Sequence, residues 1–208
     1  MTHPPTSAPL DNPPLVPGRP GRALALAYGC IIDRRNARYD ARQGVVTLDR
    51  PVVSVGNLSV GGTGKTPMVA ALARALLDGG RNPCIAMRGY ASNRRSDGLS
   101  DEAAEYQREL PGVPIVARAD RLLGLIHLFA AEEGERVDTV LLDDGFQHRR
   151  IARQVDIVLL DASRNPFTDR LLPAGWLREP VGSLARATHV VITHAELADE
   201  RTVGSIAR

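Results

Sequence analysis

The residues best suited to chemistry lie in one glycine-rich segment, GNLSVGGTGKT at 56–66. Its glycines allow the backbone to turn N–H groups inward, and such a nest beside a helix N-terminus binds phosphate anions. Lys65, the only lysine among 26 Lys and Arg residues, would place a charge on terminal phosphates, and Thr66 would offer a hydroxyl to Mg²⁺. We therefore predict a phosphate loop for a nucleoside triphosphate, formed by Ser59, Val60, Gly61, Gly62, Thr63, Gly64, Lys65 and Thr66.

The loop departs at one position from the pattern G-x-x-x-x-G-K-[ST], because Ser59 stands where the first glycine is expected. Ser59 must then adopt a negative φ or carry strain. The alternative to a phosphate loop is a chance glycine-rich turn. A preceding apolar strand, a following helix and the lone lysine favour the phosphate loop.

Two adjacent carboxylates, Asp143 and Asp144, end a second apolar segment, VDTVLLDD at 137–144. In α/β sheets, ligands bind at the carboxyl ends of the strands, so this pair is expected beside the phosphate loop. One carboxylate would hold Mg²⁺, and the other would contact a neighbour or the transferred group. The alternative is a helix cap or a turn before Gly145.

Apolar runs alternate with helical segments along most of the chain. Continuous Val/Ile/Leu runs of this kind are typical of strands buried on both faces, and their alternation with helices predicts a parallel sheet. The predicted strands are 51–57, 83–89, 113–117, 137–144, 155–162 and 188–195, and the predicted helices are 66–78 and 119–134. The predicted fold class is α/β: a P-loop NTPase-like, mostly parallel sheet with helices on both faces, preceded by an amphipathic N-terminal helix.

The chain before the core domain, which we assign to 44–208, falls into two parts. Seven of the 15 prolines lie in 1–20, which predicts a disordered or extended tail. Segment 21–43 is predicted to be a basic amphipathic helix, and its apolar run at 23–32 would reach only about 15 Å, too short to span a bilayer. The helix would either lie on a membrane, with its arginines at anionic headgroups, or pack on the domain edge.

Composition narrows the possible classes of protein. With 208 residues, 43% hydrophobic and 24% charged, the chain is neither wholly disordered nor collagen-like. A net charge of +2 gives no support to nucleic-acid binding, and we expect no nucleic-acid partner. Cys30 and Cys84 lie in apolar stretches without CxxC spacing, which predicts two buried thiols in a reducing compartment.

Several separated segments together resemble one family, tetraacyldisaccharide 4'-kinase, the lipid A kinase. The phosphate loop alone is unspecific, but DDGFQH followed by LLPAGxLREP is distinctive. The resemblance extends from about residue 20 to 195. The matching segments are SVGNLSVGGTGKTP at 54–67, RGY at 88–90, DE at 101–102, DDGFQHRR at 143–150 and LLPAGWLREP at 171–180.

The resemblance implies transfer of the γ-phosphate of ATP, with Mg²⁺, to the 4'-hydroxyl of a lipid A disaccharide precursor. It implies peripheral contact with the cytoplasmic face of the bacterial inner membrane. It also implies that Asp101 is the general base, although spacing alone would make it a helix N-cap or part of an acidic first turn. The surrounding SDEA lacks the Gly and Pro of the family's GDEP-like motif.

The remaining implied roles concern the metal and the phosphates. The resemblance matches Asp143 to the metal carboxylate, Glu179 to an acidic residue near the metal, and Arg178 to a cation that neutralises phosphate charge. The expected catalytic residues are therefore Asp101, Lys65, Asp144 and Arg178, and the expected metal-binding residues are Thr66, Asp143 and Glu179.

Members of the family continue into a second, smaller domain that closes over the nucleotide, and we expect this chain to lack it. One alternative function is therefore a nucleotide-binding module with little or no transfer activity, because closure and exclusion of water would be missing. Another is a P-loop kinase or ligase of a soluble metabolite, which would leave segment 21–43 unexplained.

Overall fold

A computed structural model describes residues 15–89 and 101–207. The α-helices are α1 (Gly18–Asp40), α2 (Lys65–Asp78), α3 (Asp101–Glu109), α4 (Arg121–Phe129) and α5 (Glu200–Ile206). The strands are β1 (Val52–Asn57), β2 (Pro83–Met87), β3 (Ile115–Ala117), β4 (Thr139–Asp143), β5 (Val155–Asp161) and β6 (His189–Thr193). Short 3₁₀ helices cover Glu132–Gly134, Pro166–Thr168, Val181–Arg186 and Ala195–Leu197.

Strands β1 to β6 form one parallel sheet in the order β3-β2-β4-β1-β5-β6. Strand β1 lies inside the sheet, with Val55 opposite Asp143 of β4 and Asn57 opposite Leu159 of β5. Because the strands are parallel, their carboxyl ends meet at one edge of the sheet. The predicted α/β class with a parallel sheet is confirmed.

Helices cover both faces of this sheet. On one face Leu141 of β4 belongs to a core cluster with Val69 of α2 and Tyr106 of α3. On the other face the next residue of β4, Leu142, packs in a cluster with Leu125 of α4. Successive strand residues point to opposite faces, so burial on both sides explains why the strands are continuously apolar.

The predicted strands agree with the observed ones to within two residues at each end, but one predicted helix is too long. Segment 119–134 forms α4 only as far as Phe129. The helix begins at Arg121 because the Asp120 carboxylate accepts a hydrogen bond from the Leu123 N–H (3.1 Å) and caps it. Ala131 is extended, which separates α4 from the 3₁₀ turn that follows.

Helix α1 begins earlier and ends earlier than the predicted 21–43. It starts at Gly18, so the last residues of the predicted tail are helical. Pro20 is tolerated there because the first-turn N–H groups have no acceptor within the helix. The predicted tail before Leu15 and Tyr90 of the RGY segment lie outside the described residues.

The two cysteines differ in environment. Cys84 is buried in β2, and burial raises the pKa of its thiol to about 12. Cys30 is exposed on α1, so the prediction of two buried thiols is wrong for Cys30. Within 15–89 and 101–207, the structure contains no helix with the length and apolar character needed to cross a membrane.

Candidate phosphate-binding site

The predicted phosphate loop lies between the carboxyl end of β1 and the first turn of α2. Gly61 (φ 123°) and Gly64 (φ 78°) adopt backbone conformations that favour glycine, and Lys65 is the first residue of α2. Among the described residues, Ser59 is not one of those with a positive φ. Serine therefore fits this position without backbone strain. Its neighbour Val60 donates its N–H to the Trp176 carbonyl (2.9 Å), which fixes the start of the loop.

A buried side-chain pair braces the loop from behind. Asn57, the last residue of β1, donates its amide to the Thr63 hydroxyl (2.9 Å). The Asn57 carbonyl in turn accepts a hydrogen bond from the Gln147 side chain (2.9 Å). Both Asn57 and Thr63 are buried, so this hydrogen bond ties the loop to the end of β1 inside the protein.

Asp144 is shared by two cations. One guanidinium nitrogen of Arg178 lies 2.8 Å from both Asp144 carboxylate oxygens, and the Lys65 ammonium lies 3.7 Å from one of them. Burial acts to raise the pKa of Asp144, but the charges of Arg178 and Lys65 outweigh it and lower that pKa. Three residues that the sequence predicted to be catalytic therefore meet in one charged cluster.

Asp143 occupies a different environment from its neighbour. Its side chain is 5% exposed, and the Tyr106 hydroxyl donates a hydrogen bond to Oδ2 (3.0 Å). Burial raises the pKa of Asp143, against the opposing effect of that hydrogen bond. The other oxygen, Oδ1, is buried with no hydrogen-bond partner. A buried carboxylate oxygen without a donor would be stabilised by a positively charged ligand.

The residues present fit a magnesium ion. The Tyr106 hydroxyl that contacts Asp143 also lies 3.5 Å from the Thr66 backbone carbonyl, which places the first turn of α2 close to Asp143. In the described part of the chain, no cluster of three or more His, Cys, Asp or Glu side chains could hold a metal. The fit rests on the unpaired Oδ1 of Asp143, because proteins hold Mg²⁺ with one or two carboxylates together with phosphates and water.

Glu179 does not have the surroundings expected of a metal ligand. It is fully buried, and its Oε1 accepts a hydrogen bond from Arg35 (2.8 Å). Its Oε2 accepts hydrogen bonds from Asn36 (2.9 Å) and Arg186 (2.9 Å). A buried carboxylate needs such neutralisation, and here α1 and the 3₁₀ segment Val181–Arg186 supply it. Glu179 is thus the centre of a buried ion-pair cluster, and the place near the metal that the resemblance implies for it stays a prediction.

The predicted general base, Asp101, is exposed at the first described residue of α3. Burial raises the pKa of its neighbour Glu102, and the charge of Asp143 raises it further while Lys65 lowers it. The start of α3 therefore lies within electrostatic reach of the phosphate loop. The role of Asp101 in the reaction stays a prediction.

Sequence reasoning missed two residues that shape the site. Tyr106 holds Asp143 from α3, and burial raises the pKa of its hydroxyl far above the usual value, so Tyr106 acts as a neutral donor. Arg121 is 3% exposed and donates to the Asp144 carbonyl (3.0 Å), where the backbone has a positive φ of 49°. Neither residue lies in a local sequence pattern that would have marked it, because each acts on a distant segment.

A phosphate loop after an inner parallel strand, with a carboxylate at the end of the neighbouring strand, defines the class of P-loop nucleotide-binding proteins. Within that class, residues 20–207 match the family model described as tetraacyldisaccharide-1-P 4'-kinase. The chain belongs to this family. This membership does not favour a kinase or ligase of a soluble metabolite.

Named relatives agree with the family model. A tetraacyldisaccharide 4'-kinase of Geobacter sulfurreducens is 40% identical over 185 residues, which covers 81% of this chain and 52% of the relative. One from Anaeromyxobacter dehalogenans is 42% identical and covers 93% of this chain and 53% of the relative. A crystal structure of LpxK from Aquifex aeolicus in complex with ATP superposes with a TM-score of 0.73 at 37% identity, covering 85% of this chain and 58% of that one. The chain spans about half the length of the curated relatives it matches.

The contrast between Asp143 and Glu179 gives a prediction about magnesium. Replacing Asp143 with Asn should raise the Mg²⁺ concentration needed for half-maximal ATP binding by about tenfold or more, because the free oxygen is lost. Replacing Glu179 with Gln removes the charge that compensates Arg35 and Arg186 and should weaken ATP binding equally at every Mg²⁺ concentration, so the Mg²⁺ requirement itself should stay unchanged. Calorimetric titration of ATP at a series of Mg²⁺ concentrations measures both, and thermal unfolding checks that each variant is folded. An equal rise in the Mg²⁺ requirement for Glu179→Gln would show that Glu179 is a ligand after all.

Proposed function

We propose that this chain is the catalytic phosphate-transfer unit of a lipid kinase. It would transfer the γ-phosphate of ATP to the 4'-hydroxyl of a tetraacyl disaccharide 1-phosphate in lipid A biosynthesis. The observation that carries the proposal is the shared Asp144 carboxylate, which brings Lys65 and Arg178 to the mouth of a phosphate loop. The relatives at 40% and 42% identity are named for this activity, and the solved relative is a complex with ATP.

The residues around the phosphate loop would promote phosphate transfer mainly by neutralising the charge of the phosphates. The first-turn N–H groups of α2 have no acceptors within the helix and would bind phosphate oxygens. Lys65 would contact the terminal phosphates, and Arg178 would neutralise charge that develops on the transferred group. Thr66 and Asp143 would hold Mg²⁺, which would neutralise part of the charge on the phosphates. Asp144 would keep the two cations in place between turnovers.

The acceptor hydroxyl needs a base, and Asp101 is our proposal for it. Asp101 is exposed, and the charges that act on the adjacent Glu102 come from Asp143 and Lys65. A carboxylate at this end of α3 could therefore face a hydroxyl that approaches the γ-phosphate. It would accept the hydroxyl proton as the new oxygen–phosphorus bond forms.

Replacing Asp101 with Ala tests the proposed kinase activity. Transfer from ATP to the disaccharide should fall by about 100-fold or more, because loss of a general base typically costs that much. The affinity for Mg·ATP should stay within about twofold, since Asp101 is not part of the phosphate loop. Single-turnover transfer of labelled phosphate and calorimetry measure the two quantities.

Glu109→Ala is the matched control, because Glu109 is an exposed carboxylate at the far end of the same helix. It should change neither transfer nor affinity. A wild-type chain that binds Mg·ATP but transfers no phosphate would instead support the nucleotide-binding module. Full transfer by the Asp101→Ala variant would exclude Asp101 as the base.

We also propose that α1 makes peripheral contact with the cytoplasmic face of the bacterial inner membrane. Three large apolar side chains of α1 are well exposed: Leu24 at 52%, Leu26 at 74% and Ile31 at 62%. The helix also exposes Arg34 and Arg38, which could lie at anionic headgroups. Its other face packs on the domain through Gly21, Ala25, Gly29, Ile32 and Asn36. Both arrangements left open by the sequence can therefore hold at once.

Vesicle sedimentation tests this membrane contact. The chain should bind vesicles containing phosphatidylglycerol more strongly than pure phosphatidylcholine vesicles, and added salt should weaken binding. Replacing Leu24, Leu26 and Ile31 with Gln should reduce the bound fraction by about tenfold, because their burial in lipid is lost. The control replaces Leu123 and Ile126, two exposed apolar residues of α4, with Gln. Equal loss in both variants would contradict a specific role of α1.

A further inference from the structure

Helix α1 contacts the phosphate site through the segment that carries Arg178 and Glu179. The Tyr28 hydroxyl donates a hydrogen bond to the backbone carbonyl of Arg178 (2.9 Å), across 150 positions of sequence. One residue further along the chain, Glu179 accepts hydrogen bonds from Arg35 and Asn36 of the same helix. A single helix therefore fixes two successive residues beside the phosphate loop.

The Glu179 cluster is rigid for an electrostatic reason. A fully buried carboxylate is stable only if its charge is compensated, and Arg35 and Arg186 compensate it from two sides. Asn36, itself 8% exposed, adds a neutral donor at 2.9 Å. Because each donor comes from a packed element, Glu179 cannot shift without leaving a charge unpaired.

Arg178 reaches from this anchored backbone to Asp144. Its own N–H donates to the carbonyl of Leu58 (2.7 Å), the residue that follows β1, and its guanidinium contacts both oxygens of Asp144 at 2.8 Å. The backbone of Arg178 is therefore held on one side by Leu58 and on the other by Tyr28. The side chain therefore projects from a fixed backbone position toward Asp144.

Asp144 can pair with either Arg178 or Lys65, and the distances show which pairing is closer. The Arg178 contacts are 2.8 Å, and the Lys65 contact is 3.7 Å. While Arg178 holds the carboxylate, the Lys65 ammonium is only loosely attached and can turn to a phosphate. If Arg178 were displaced, Asp144 would be left with Lys65 as its nearest cation and would hold it away from the phosphates.

We propose that α1 positions Arg178 and thereby keeps Lys65 available for phosphate, with Tyr28, Asn36 and Glu179 as the positioning residues. This inference rests on the proposed function, since it concerns the same nucleotide site. None of the three residues belongs to the phosphate loop. They act through the backbone of Arg178, and their contribution is expected to disappear when the Arg178 side chain is removed.

The test compares two tyrosines of α1 in the full chain. Tyr28→Phe removes only the hydroxyl that bonds the Arg178 carbonyl. Its affinity for Mg·ATP, measured by calorimetry, should be weaker by about threefold to tenfold, as expected for one lost hydrogen bond. Tyr39→Phe is the control, because Tyr39 lies on the same helix and its ring contacts Arg149 instead. The control should bind Mg·ATP as the wild-type chain does.

A double-variant cycle separates positioning from general stabilisation. Arg178→Ala should weaken Mg·ATP binding, and adding Tyr28→Phe to it should have no further effect. Equal affinities for Tyr28→Phe and the wild-type chain would overturn the inference, and so would additive losses in the double variant. A wild-type chain that binds no Mg·ATP would refute the proposed function together with the inference, so the two failures are distinguishable.

Discussion

Arg178 and Lys65 compete for one carboxylate, that of Asp144, and the geometry of the phosphate site depends on this competition. Asp144 holds Arg178 at 2.8 Å and Lys65 at 3.7 Å, so two cations are stored beside the phosphate loop without either being neutralised completely. Without the carboxylate the two cations would repel each other. If the carboxylate bound them too tightly, they could not contact a phosphate. The surrounding helices and strands hold Asp144 where it separates the two cations without binding either of them too tightly.

Each neighbouring element fixes one part of that arrangement. Strand β4 places Asp143 and Asp144 at the sheet edge, where Tyr106 holds the first and Arg121 holds the backbone of the second. The two carboxylates consequently differ: burial raises the pKa of Asp143, whereas its cationic neighbours lower that of Asp144. One is suited to a metal ion and the other to permanent ion pairs. Helix α1 completes the site from outside the sheet by anchoring the backbone of Arg178.

The parts of the site that lie close together in sequence could be predicted, and those that join distant segments could not. The phosphate loop has a fixed local pattern because glycines, a lysine and a hydroxyl must surround one anion. The strand-end carboxylates followed from the apolar run before them. Tyr106 lies 37 positions from the Asp143 that it holds, and Arg35 and Glu179 lie 144 apart, so neither contact leaves a local pattern. The resemblance likewise indicated an acidic residue at Glu179 but did not identify the residues that bind it, Arg35, Asn36 and Arg186. The helix after 119 was predicted too long because apolar spacing does not show where a chain turns.

The most direct test of the account is calorimetry of Mg·ATP with the wild-type chain and with Lys65→Met, which removes the sole ammonium group of a side chain while keeping its apolar length. We expect measurable binding by the wild-type chain and a loss of affinity of about tenfold or more in the variant. The variant lacks the ammonium charge that would contact the terminal phosphates. No heat of binding with the wild-type chain, or equal affinities for the two proteins, would contradict it.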